Sequence, residues 1–163
     1  MLRNLGLLLL RLGIGGTMML HGIPKLFGGP GKSPPPTLAR IAGSNYRVFF
    51  EESGGSNFAA WLAQMGIPQP RIAGYAAGVA ETFGGLGLIL GLKTRLSALL
   101  IIFDLCVAIW KVHWKVGFFG EGGYEFPFGL ANGAASLALT GPGALALDSL
   151  ACCEKRAGEG DED

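Results

Sequence analysis

Four stretches of this sequence, near residues 5–27, 70–92, 95–118 and 124–147, are apolar over the length a bilayer demands, about 20 residues for a hydrocarbon core about 30 Å thick. Lipid offers backbone groups no water, so each stretch must satisfy its own N–H and C=O groups as a helix. The expected fold is therefore an all-α membrane protein, a four-transmembrane-helix bundle forming a single domain over residues 1–150. Lys93 and Thr94 alone separate the second and third stretches, which makes those helices antiparallel neighbours. Composition agrees: 15% of residues are charged, against roughly 25% in a soluble domain. The chain has 28 glycines, which membrane helices tolerate because small residues let backbones approach closely. A net charge of +1 with no basic stripe argues against a nucleic-acid partner; the expected partners are the lipid bilayer and other membrane protein subunits.

The opening MLRNLGLLLLRLGIGG resembles a secretory leader, because Arg3 precedes a leucine run. Arg11 cuts that run short and no A-x-A site follows within it, so it is read as a retained first span. Between the first and second spans, residues 28–69 open with GGPGKSPPP, too rich in Gly and Pro for hydrocarbon, and form a long external loop. Its later part carries Tyr46, Val48, Phe49 and Phe50, then Phe58, Trp61, Leu62 and Met65, a pattern of short helices lying on the membrane surface. Residues 151–163 read as a disordered acidic tail. An even number of spans puts both termini on one side. The basic residues close to span ends on that side, Arg3, Lys93, Arg95, Lys155 and Arg156, favour cytoplasmic termini in a cytoplasmic (inner) membrane. Cys106 lies in an apolar run and Cys152 and Cys153 are adjacent, so neither a CxxC motif nor a metal-ligand spacing is present. The adjacent pair is expected to be reduced thiols, with palmitoylation the alternative.

Ionisable groups inside membrane helices are costly and usually face the interior, so they are where function is sought. At 100° per residue, Arg11 and Lys25 share a face of span one with Gly15, Met18 and Gly22, with His21 at its edge. Glu81 shares a face of span two with Gly74, Gly78 and Gly85; Asp104, Lys111 and Lys115 align on span three; Glu125, Gly129, Asn132 and Ser136 align on span four. The bundle is expected to be polar inside and apolar outside. Depths of roughly 9, 16 and 13 Å from the terminal side put Arg11, Glu81 and Asp104 in one layer. There, Arg11 and Glu81 are expected to form a buried ion pair, with Asp104 a third partner or a proton-accepting carboxyl. A second layer holds His21, Lys25, Lys111, His113, Lys115, Glu121, Tyr124 and Glu125. Of these, His21, Lys25, Lys111, His113 and Tyr124 are the candidate ligands for an anion or the carbonyl of a quinone, with a histidine as proton donor. The alternative is that the lysines snorkel while Trp110 and Trp114 stand in the aromatic belt.

RLGIGGTMMLHGIPKL in span one, AQMGIPQP before span two, AETFGGLGLILGLKTRLSALL across spans two and three, GYE opening span four and GPGALALD at its close together resemble the DoxX family. The longer first loop departs from the family's usual short connection. The resemblance implies a four-helix membrane protein, related to the membrane subunit of thiosulfate:quinone oxidoreductase and to proteins linked with oxidative-stress and thiol defence. The family's recurring polar positions correspond to Arg11, His21, Lys25, Glu81 and Arg95. With no complete catalytic set of its own, the chain is expected to be an accessory or structural subunit of a larger membrane complex, redox or respiratory in type. The alternative is a quinone-binding subunit of an oxidoreductase, and a path for protons or small solutes comes a distant third. No cofactor is expected to be bound covalently or by a clear motif; quinone is the candidate, and no metal is expected.

Overall fold

The computed structural model describes residues 1–150; the expected acidic tail, with Cys152 and Cys153, lies outside the described residues. Every regular element among them is helical: α1 (Leu2–Phe27), α2 (Pro36–Ala42), α3 (Asn45–Glu52), α4 (Gly55–Gln64), α5 (Pro70–Leu90), α6 (Thr94–Ala108), continued by a π turn over Ile109–His113, and α7 (Glu125–Thr140). Three helical segments are long and apolar enough to cross a membrane, Leu2–Phe27, Pro70–Leu90 and Thr94–His113. The fourth apolar stretch departs from expectation. Its helix has 16 residues and stops at Thr140 because Gly141 takes a positive φ of 79°. At 1.5 Å per residue it reaches about 24 Å, short of a full hydrocarbon core. Residues 141–150 turn back instead and close the end of the molecule that carries the N-terminus, here the terminal end.

The long helices alternate in direction. α1 packs along α5, α5 along α6, α6 along α7, and α7 returns to α1. The tightest crossing is between α1 and α5, where a Cβ added to Gly15 would come 2.6 Å from the Gly85 carbonyl oxygen, and one added to Gly85 would come 2.6 Å from that of Gly15. Backbone cannot move aside as a side chain does, so only glycine fits at either place. Further along, Gly22 lies against Glu81 and Thr82, and Gly78 lies against Lys25 and Leu26. These contacts fix the register: Lys25 stands close to Glu81, while Arg11 stands level with the turn after α5.

Between these helices the core is apolar: Ile14, Met18, Leu88, Ala98, Ile101, Leu105, Ala134 and Leu137. Large apolar side chains, among them Leu9, Val79, Phe83, Leu99, Phe103 and Leu139, cover the outside. So large an exposed apolar surface fits hydrocarbon rather than water. The expected polar interior is corrected on α7. There Glu125, Gly129, Asn132 and Ser136 are exposed, and Pro127, Ala134 and Leu137 are the buried residues. The polar side chains need no interior partner, because Asn132, Ser136 and Thr140 donate to the carbonyls of Phe128 (2.8 Å), Asn132 (3.0 Å) and Ser136 (2.6 Å).

Residues expected to form a long loop largely fold into α2, α3 and α4, which sit over the other end of the molecule, here the loop end. Their attachment follows from Pro24 inside α1. Proline lacks an N–H, so it leaves the carbonyl four residues earlier without its helical donor. Tyr46 of α3 fills the gap, its hydroxyl donating to Leu20 O at 3.1 Å, and burial pushes its phenol above the usual range. Phe50 is buried beside it, and α4 buries Ala59 and Leu62.

Candidate functional site

Two buried cations on one face of α1 define the polar chemistry of the interior, and they sit at opposite ends. Arg11 is 1% exposed. It does not meet Glu81; the expected Arg11–Glu81 pair is absent. Its guanidinium donates to the carbonyls of Pro142 (2.9 Å) and Leu145 (2.6 Å), with a longer contact to Ile89 (3.5 Å). Depth measured from span ends does not predict this, because the glycine contacts between α1 and α5 set a register that puts Arg11 beside Gly91. Gly91 has φ 66°, and a Cβ there would strike Ala146 and come 2.5 Å from the Arg11 guanidinium. Asp148 completes this closure. Its carboxylate accepts the N–H groups of Lys93 (2.7 Å) and Thr94 (2.9 Å) at the start of α6. Partial burial pushes this carboxyl up, but the Thr94 and Lys93 N–H groups and the Arg11 charge outweigh it, holding it below the usual carboxylate range.

Toward the loop end, the partner of Glu81 is Lys25, whose ammonium donates to both carboxylate oxygens. The two side chains are 13% and 7% exposed. Asp104 on α6 stands at the same level, its carboxyl within hydrogen-bonding reach of that of Glu81. Three helices thus contribute one ammonium and two carboxyls to a single buried cluster. Such a cluster is electrically neutral only when the carboxyl pair holds one proton, and neutrality is what a low-dielectric interior favours.

The other candidates are dispersed. His21 is half-buried, its ring edge-on to Phe49 at 5.3 Å and near Phe126 at 6.4 Å. His113 uses Nδ1 on the Gly122 carbonyl oxygen at 2.7 Å, Lys111 lies over the Trp110 ring at 4.0 Å, and Tyr124 stacks on Trp114 at 5.5 Å. The π turn explains why Lys111 and Lys115 leave the stripe begun by Asp104: widening one turn rotates everything after it relative to α6. Among the described residues, no hydrogen bond or ring contact joins His113, Lys111 or Tyr124 to Lys25, and no group of three His, Cys, Asp or Glu side chains is placed to hold a metal.

Residues missed from the sequence lie beside Lys25. Its ammonium is 5.1 Å from the Phe58 ring, and both residues line a cavity of about 310 Å³ with Arg71, Gly74 and Tyr75. A signal was present, since Arg71, Gly74, Gly78 and Glu81 recur at spacings of three and four along one stripe of α5.

Long apolar helices, a lipid-facing exterior and a buried charged cluster define an integral membrane protein. More particularly, the chain belongs to the DoxX family, whose family model matches residues 6–114. The matched part holds Arg11, Lys25, Glu81 and Asp104 but ends before α7 and the closing segment. No curated protein and no solved structure matches the chain.

Proposed function

We propose that this protein is a membrane subunit of a quinone-linked redox assembly, in which the Lys25–Glu81–Asp104 cluster exchanges a proton with a quinone head group while a partner subunit carries the electrons. The observation that carries this reading is the pairing of two buried carboxyls with a single ammonium. Nothing structural requires the second carboxyl; Lys25 and Glu81 already satisfy each other's charge. A carboxyl pair holding one proton is a unit that can release or accept it without leaving bare charge in the bilayer. On this reading α7 and residues 141–147 complete a fourth span, α2–α4 lie on the membrane surface, and both termini face the cytoplasm.

The test is infrared difference spectroscopy on protein reconstituted with a quinone that is reduced and reoxidised. A protonated-carboxyl band is expected to change with quinone state, and Glu81→Gln or Asp104→Asn should each abolish the change. Absence of any carboxyl response would refute the proton-exchange role. In that case, stoichiometric membrane subunits in the same preparation would favour the second reading, an accessory subunit with a structural polar core. The outward polar face of α7, which bears Glu125, Asn132 and Ser136, supports that alternative as a contact surface for another helix.

A further inference from the structure

Lys25 has three N–H donors and gives two to the oxygens of Glu81. The third remains, on an ammonium that also lines the cavity between α4 and α5. The cavity exists because α5 carries glycine at position 74: a Cβ there would come 3.1 Å from the Phe58 ring. Its walls are aromatic. Phe58 stands on one side, backed by Trp61 in a stack of 5.7 Å and 22°, and Tyr75 stands on the other. Lys25 and Arg71 both border it, the first buried against Glu81 and the second exposed. On α5 next to the opening, Ile72 and Val79 are exposed apolar residues, so a ligand dissolved in the bilayer can reach the cavity sideways.

These features select a chemistry. A soluble oxyanion would use the two cations but has no need of aromatic walls, and a lipid tail would use the walls but not the cations. A flat ring with an oxygen acceptor at each end uses both. We propose that the α4–α5 cavity binds the head group of a benzoquinone or naphthoquinone, one carbonyl oxygen accepting the free N–H of Lys25 and the other reaching Arg71. This rests on the quinone-linked reading above and moves the binding site away from Lys111, His113 and Tyr124. Because Lys25 bridges cavity and carboxyl pair, head group and proton store are separated by a single ammonium.

The experiment uses the intrinsic fluorescence of Trp61 in the full chain, purified in mild detergent with Trp110→Phe and Trp114→Phe removing the other two tryptophans. A short-chain benzoquinone should quench it saturably. Arg71→Gln, at an exposed position, should weaken binding about tenfold, the scale of one hydrogen bond from a charged group. Gly74→Leu should fill the cavity and remove the quench, while His113→Gln should leave it unchanged. Equilibrium dialysis of the same samples separates the failures. Saturable quinone binding indifferent to both Arg71→Gln and Gly74→Leu overturns this site and leaves the quinone-linked function standing; no saturable binding anywhere overturns both. A Trp61 response to phosphatidylglycerol micelles and none to the quinone overturns the site in favour of a lipid head group.

Discussion

Arg11 and Lys25 occupy the same face of α1, are both buried, and are satisfied in opposite ways. Arg11 meets neutral acceptors, the backbone carbonyls left over where α7 has ended and the chain folds back. Lys25 meets carboxyls, and one more of them than its charge requires. The difference separates a fastening from a site. Carbonyls do not titrate, so the Arg11 contacts have one state and hold residues 141–148 against the terminal end. A cluster of ammonium and paired carboxyls has more than one protonation state and is placed beside a cavity. Burial of charge alone does not mark function; what marks it is the kind of partner the charge is given.

The sharpest way to break this comparison is Lys25→Met, which leaves two buried carboxyls with no cation. Removing one partner of a buried ion pair costs about 3–5 kcal/mol, so thermal unfolding in detergent should shift downward further than for any single substitution at the terminal end. Adding Glu81→Gln should recover much of that loss. If Lys25→Met unfolds with the parent, or the double variant is no better than the single one, the cluster is not an energetic unit. Next comes Arg11→Leu. It removes two hydrogen bonds from a charged donor and leaves carbonyls unpaired, a loss of about 2–3 kcal/mol. No acidic substitution should rescue it, since its partners are backbone. Recovery of Arg11→Leu by Glu81→Gln would restore the pairing that the structure lacks and erase the contrast between the two ends.

How much of this the sequence disclosed depends on which physical rule governs each part. The faces of α1 and α5 follow from helical period alone, and Gly15, Gly22, Gly78, Gly85 and Glu81 all lie on the buried sides expected of them. Relative depth does not follow, because it depends on which glycines of α1 meet which of α5, and that choice places Glu81 by Lys25 instead of Arg11. On α7 the helical period holds but the expected direction of its polar face does not, since side chains bonded to their own helix do not need the interior. The π turn has no mark in the sequence, yet it turns Lys111 away from Asp104. GPGALALD reads as the end of an apolar span, and only the structure reveals that Gly141 stops the helix and that the remainder serves Arg11 and α6. Pro24 holds a signal that helical period does not use: a proline within α1 implies an orphaned carbonyl at Leu20, and therefore a donor, which Tyr46 supplies.

Asp148 gives the smallest effect and the finest test of the contrast, because it is the one titrating group within the fastening. Its carboxylate receives two N–H groups at the start of α6, a helix-capping arrangement worth about 1 kcal/mol. Asp148→Asn should therefore lower stability by about that amount at neutral pH, since an amide has a single oxygen to offer. The sign with pH follows from the direction of its shift. The folded carboxyl is held below the ordinary range, so its stabilisation is fully present above the unfolded value, near 4, and is lost as pH falls through the lower folded value. The gap between parent and Asp148→Asn should stay constant at higher pH and close under strong acid. A gap that instead changed around neutrality would mean that the terminal end titrates where the Lys25 cluster is supposed to, and the two ends would no longer be different in kind.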